Sequence, residues 1–124
     1  MQLEILRINK LKEDSINYRN LVFKFRAVDV FDMDRSADML ITCRTLIKGG
    51  ALKLLFDLED LEFIDSSGIG ALINIAKIAR LNEGDIALVN VPAKIELIFK
   101  PVNLQRFISF HAGIEEAVNF FRLT

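Results

Sequence analysis

The chain has little of what small catalytic and metal sites are built from. Its 124 residues include one cysteine, Cys43, and one histidine, His111. A lone cysteine excludes an internal disulfide and gives no sign of an oxidising compartment. One cysteine and one histidine cannot furnish a zinc set, and "DVFDMD" lacks the glycine and distal glutamate of a calcium loop, so no metal is expected. A Ser-His-acid triad is unsupported as well. His111 follows "FISF" at an expected strand end, and "IDSSGIG" lacks the G-x-S-x-G spacing of a nucleophile elbow. The strings G-x-x-x-x-G-K-[ST] and G-x-G-x-x-G are missing, so neither a nucleotide nor another cofactor is expected.

A dominant sign of charge is missing too. With 16 basic and 17 acidic side chains the formal net charge is −1. No Lys/Arg cluster makes the electrostatic footprint that nucleic acid requires. Apolar runs fall far short of the roughly 20 residues of a membrane span. The N-terminal "MQLEILRINKLKED" mixes charges among its apolar residues, unlike the continuous apolar core of a signal peptide. No repeat or Pro/Ser-rich linker divides the chain. The expectation is one domain over residues 1–124, cytoplasmic, with no nucleic-acid partner and no direct membrane insertion. A hydrophobic content of 52% is that of a globular protein with one core.

What is present alternates between two periods. "LEILRI" (Leu3 to Ile8) and "LVFKFRAV" (Leu21 to Val28) alternate apolar with charged residues, as half-buried strands do, and predict an antiparallel opening pair. "LKEDSINYRN" between them has turn character. In "DVFDMDRSADMLITCRTLIKGG", Asp32, Asp34 and Ser36 are helix-start residues. Met39, Leu40, Cys43, Leu46 and Ile47 recur at helical spacing, and Gly49 and Gly50 stop the helix. Cys43 reads as a small buried hydrophobe.

"LKLLFDLEDLEFI" suits a strand buried on both faces. Ser66 to Arg80 reads as a helix whose narrow polar stripe is Asn74, Lys77 and Arg80, stopped by Gly84. Ile86 to Val91 is a further strand, and Pro92 opens a helix in "PAKIELIFKPV". "FISF" is a short strand before a terminal helix with Ile114, Ala117, Val118 and Phe121 on one side. The order β β α β α β α β α predicts an α/β fold: a mixed, mostly parallel sheet of about five strands covered by about four helices. In "ELIFKPVNLQRF", Ile98, Phe99, Val102 and Leu104 are core by spacing, with an exposed minority that would suit docking.

The junction "FIDSSGIG" sets two serines and two glycines where an apolar strand meets an apolar helix. Loops at the carboxyl ends of strands are where open α/β sheets form sites. A helix N-terminus there offers free N–H groups and partial positive charge to an anion. The plain alternative is helix capping, since Asp and Ser are preferred N-caps.

"DLEDLEFIDSSGIGAL" resembles the signature of the STAS domain, in particular the anti-sigma factor antagonists of bacteria. "NVPAKIELIFKPVNLQRFISFHAGIEEAV" is similar to the last strand–helix–strand–helix stretch of that family. The likeness covers about Leu52 to Val118 and extends to the N-terminal third only in element order. It implies a single STAS-type domain that is a regulatory binding protein, with no catalytic residue. Unphosphorylated, such a protein binds an anti-sigma factor that is itself a serine kinase, a GHKL-type ATPase. The kinase phosphorylates the first serine of the turn, here Ser66, which releases the complex, and a PP2C-type phosphatase reverses the change. By position the resemblance sets Asp65 before this serine and Ser67 and Gly68 after it. The expected partner-binding surface combines the turn Asp65, Ser66, Ser67, Gly68, Ile69 and Gly70 with Asn74 and Lys77 on the exposed side of the helix.

The family carries a "G-x-L-D"-like turn after the second strand. This chain reads "RAVDVFDMDRS" there, without glycine. Asp29, Asp32 and Asp34 compete as acidic neighbour of the phosphosite, and Asp32 comes first by distance from Ser66, with helix capping as its alternative. Two other readings remain. One is an unphosphorylated STAS subunit of a stress-signalling scaffold or lipid-transport complex. The other is a small hydrolase or nucleotide-binding enzyme at the same helix end, for which base, metal set and phosphate loop are lacking.

Overall fold

The computed structural model describes residues 2–7 and 21–122. The connection "LKEDSINYRN" and Ile8 lie outside them. Among the described residues five strands stand in chain order in one sheet, β1 (Gln2–Arg7), β2 (Leu21–Phe31), β3 (Lys53–Ile64), β4 (Asp85–Val89) and β5 (Ser109–His111). β1 runs antiparallel to β2, and every later pairing is parallel. Among the described residues four α-helices complete the fold: α1 (Met33–Lys48), α2 (Ser66–Leu81), α3 (Ala93–Phe99) and α4 (Ile114–Arg122).

Each parallel step moves one strand in the same direction. Right-handed crossovers therefore put α1, α2 and α3 on one face of the sheet. The main core forms there: Phe23, Phe25, Phe56 and Leu88 from the sheet meet Cys43, Leu72, Ile75 and Phe99 from the helices. At its centre the Phe25 and Phe56 rings stack across paired strands, 5.1 Å between centroids. The opposite face is covered by α4, whose Ala117 and Phe121 pack on Val22, Leu55, Ala87 and Val89. The first half of β3, Leu54 to Leu58, is buried throughout, as a strand sandwiched between helix layers must be.

Three expectations are corrected. β2 does not end at Val28. It continues to Phe31 through two register shifts, with Asp29 at φ 59°, so the stretch expected to be a turn is a bulged strand. The buried Asp57 supports the first shift: its Oδ1 accepts from the Glu59 amide at 3.1 Å and from Asn90 at 3.3 Å, with the Lys24 ammonium 3.8 Å away. β1 is less buried than alternation suggests, because Leu3 and Ile5 are about half exposed at the sheet edge. Finally, β5 lies two residues later than the start of "FISF", leaving Phe107 exposed before it.

Cys43 is fully buried, its thiol donating to the Met39 sulfur at 3.2 Å, and burial pushes its pKa up to about 12 from 9.0. The unfolded chain releases this proton near pH 9 while the folded one keeps it. Stability is therefore whole below that pH and falls above it, at a slope approaching ~1.4 kcal/mol per pH unit. Urea midpoints measured from pH 8 upward should fall more steeply in the native chain than in Cys43→Ala.

Candidate functional site

The β2–β3 ribbon extends well past β4, since Asp57 already faces Val89 at the end of β4. Its tip pairs Phe31 with Ile64, and the Asp65 amide donates to the Phe31 carbonyl at 3.4 Å. Beyond this pair both strands turn into helices in the same way. Asp32 caps α1, accepting from the Arg35 amide at 3.0 Å, and Asp65 caps α2, accepting from the Gly68 amide at 3.0 Å. Two helix N-termini thus stand side by side at the carboxyl edge of the sheet, a place where free amides and aligned dipoles favour an anion.

That arrangement separates capping from the rest of the D-S-S-G string. The cap is Asp65. Ser66, the first residue of α2, is exposed, and its hydroxyl makes no hydrogen bond with any described residue. Ser67 is half-buried, while Gly68 and Ile69 point into the core. Gly68 has no room for a side chain: a Cβ would lie 2.5 Å from Phe31 Cδ1, 2.6 Å from Ile64 Cγ1 and 2.7 Å from the Phe31 carbonyl oxygen. It is glycine so that α2 can sit directly on the ribbon tip. Gly70 is the reverse case, since a methyl group placed there would meet nothing within 4 Å.

Ser66, Gly70, Asn74 and Lys77 follow at helical spacing, so they share one stripe along α2, and Asn74 and Lys77 are exposed as expected. The exposed Leu81 continues this stripe. Of the three candidate acids, Asp32 directly follows the residue paired with Ile64 and so lies beside the Ser66 turn. Asp29 sits back at the bulge opposite Leu61, and Asp34 is exposed on the first turn of α1. Arg35 folds back to donate to the Val30 carbonyl at 2.7 Å, fixing the α1 turn next to this edge.

Sequence reading missed two neighbours of the turn. Phe63 is half exposed on the ribbon and Met33, the first residue of α1, is 68% exposed. Strand alternation carried the signal for Phe63: Ile64 faces the helices, so Phe63 faces away, where α4 does not reach. Among "ELIFKPVNLQRF", Phe99 and Leu104 are buried, Ile98 is half-buried and Val102 is exposed. His111 lies on the α4 face, Nδ1 3.3 Å from Glu116 and its ring 4.9 Å from that of Phe120. Among the described residues no group of three or more His, Cys, Asp or Glu could hold a metal, and no helix is long and apolar enough to cross a membrane.

The profile of the STAS domain family matches residues 4–117. The chain belongs to the STAS family. Over 73 residues this STAS domain is 34% identical to a Thermotoga maritima protein provisionally named an anti-sigma factor antagonist, a stretch amounting to 59% of the present chain and 65% of that relative. It thus spans slightly less than two thirds of the relative. Among solved structures, the Thermotoga maritima protein TM1081 superposes with a TM-score of 0.77 at 25% identity, covering 83% of each chain. The anti-sigma factor antagonist SpoIIAA in its unphosphorylated form gives 0.69 at 20% identity over 98% of each chain. Its phosphorylated form gives 0.66 at 20%, covering 99% of this chain and all of that one. At that identity the likeness to SpoIIAA is one of fold.

Proposed function

We propose that this STAS domain is an anti-sigma factor antagonist that works by partner switching in the cytoplasm, as a binding protein and not an enzyme. Unmodified, it binds an anti-sigma factor serine kinase of the GHKL ATPase type over the turn Asp65–Gly70 and the Asn74–Lys77 side of α2. Phosphorylation of Ser66 releases the kinase, and a PP2C-type phosphatase restores the binding form. The observation that carries this reading is the Ser66 hydroxyl itself: exposed, uninvolved in the cap and unbonded to any described residue. Capping explains Asp65 and leaves Ser66 unexplained. The relatives' names and the existence of SpoIIAA in both phosphorylation states support the same reading.

The switch has a simple physical basis. A phosphate adds about −1.5 to −2 charge and three strong acceptors. On its own domain it meets the α2 N-terminus, where dipole and amides favour it. A partner pressed over the turn meets instead a bulky dianion flanked by the Asp65 and Asp32 carboxylates, which must be desolvated on binding. Gly68 and Ile69, being buried, contribute by setting the turn and not by touch. Phe63 and Met33 extend the proposed surface with apolar contact.

Gly70 supplies a test. A bare helical glycine costs its own domain ~0.5–1 kcal/mol relative to alanine, and nothing in the fold requires it. Its use in this reading is to let the partner approach closely. Gly70→Ala should raise the melting temperature by a few degrees while weakening kinase binding about tenfold or more in calorimetric titration, whereas Ser66→Ala should bind like the unmodified chain. Unchanged affinity in Gly70→Ala would remove the turn from the interface.

A further inference from the structure

An apolar cavity lies between α3 and β5, away from the Ser66 turn. Its volume is about 390 Å³, and its walls are Leu97, Phe99, Leu104 and Phe110. Two short 3-10 turns, Lys100–Val102 and Leu104–Arg106, bend around it, joined at Asn103, whose left-handed backbone (φ 51°, ψ 50°) swings the loop away from α3. The Phe99 and Phe110 rings meet edge to face at 5.8 Å and form the floor. A cavity of this size suits a small molecule and is far too small for a protein segment with its own fold.

The rim carries an unusual pair. Glu96 and Lys100 lie one turn apart on the same side and both line the cavity. Opposite charges at that spacing in that order normally attract each other across a helix. Here they form no ion pair with one another, and neither side chain is engaged by any described residue. An apolar hollow with a carboxylate and an ammonium at its mouth, neither held by another described residue, is complementary to a zwitterion carrying an apolar tail.

We propose that this cavity binds a free amino acid with a large apolar side chain. The ligand carboxylate pairs with Lys100, its ammonium with Glu96, and its side chain enters between Leu97 and Phe110 onto the Phe99 ring. α3, which lines the cavity, also carries Lys94, whose ammonium pairs with Glu62 on β3, three residues before Asp65. A ligand seated there therefore bears on a helix tied to the ribbon that leads into the Ser66 turn. The proposal does not depend on the phosphorylation reading.

The probe is L-phenylalanine, titrated into the isotope-labelled chain and followed by amide chemical shifts. The expected result is saturable shifts over residues 93–110 with a Kd near ~1 mM, equivalent to about −4 kcal/mol. Glu96→Gln and Lys100→Gln should each weaken binding at least about tenfold, with unchanged melting temperature because neither side chain supports the fold. Phenethylamine and 3-phenylpropionate, each lacking one of the two charges, should not saturate in the same range. No shifts at about 10 mM ligand, tenfold above that Kd, would overturn the proposal. So would equal binding by both variants, or by either single-charge analogue.

Discussion

Gly68→Ala is expected to destabilise the domain by about 3 kcal/mol, seen as a fall of roughly 10–15 °C in melting temperature. Two of the three clashing atoms belong to side chains that fill the core, Phe31 Cδ1 and Ile64 Cγ1, and cannot turn away without opening a void. The third is the Phe31 carbonyl oxygen at 2.7 Å, which is backbone and accepts the Asp65 amide. A methyl group must therefore lift the first turn of α2 off the ribbon tip. That movement disturbs the Asp65 cap and the amides that make the turn receptive to an anion. Gly70→Ala, two residues along the same helix, changes stability in the opposite direction. Differential scanning calorimetry on the two variants measures both signs; equal effects would contradict the close packing of α2 on Phe31 and Ile64.

The second large effect is on binding. Ser66→Asp, or the phosphorylated chain, should lose more than about a hundredfold in affinity for the kinase, corresponding to about 3 kcal/mol. Folding stability should change by less than about 0.5 kcal/mol, because surface substitutions away from packed features are close to neutral and a helix N-terminus tolerates negative charge. The combination is diagnostic. A hydroxyl that mattered to the fold would move stability and binding together. An exposed hydroxyl outside the cap moves binding alone. Calorimetric titration beside thermal melting separates the two, and a binding loss matched by a large stability loss would show a damaged turn and not a switched one.

Much of this could be read in the sequence because local chemistry and tertiary role coincide. Asp65 before a helical apolar pattern was legible as a cap, and Met39, Cys43 and Ile47 declared the buried side of α1 through their spacing. The mixed sheet followed from the alternation of periods. The continuation of β2 did not. A bulge breaks period-two alternation, and Asp29 with positive φ looks like a turn residue whether it ends a strand or bends one. That break also left Asp29 and Asp34 competing with Asp32, which the sequence ranks first; the pairing of Phe31 with Ile64 is what sets Asp32 beside Asp65. Gly68 and Gly70 are equivalent as letters; what distinguishes them is the distance from α2 to the ribbon, a tertiary quantity. Phe63 is a mixed case. Alternation with Ile64 places it on the second face, but its exposure also depends on how far α4 extends over that face, a tertiary quantity.

Partner switching requires the side chain of Ser66 to be the acceptor of phosphate. The most direct measurement incubates the chain and its Ser66→Ala variant with a purified GHKL-type anti-sigma factor kinase and ATP, then determines intact mass and maps the modified peptide. The expected result is a single added phosphate on the unmodified chain, located at Ser66, and none on the variant. Equal phosphorylation of Ser66→Ala, or phosphate mapped to Ser67 or elsewhere, would contradict it.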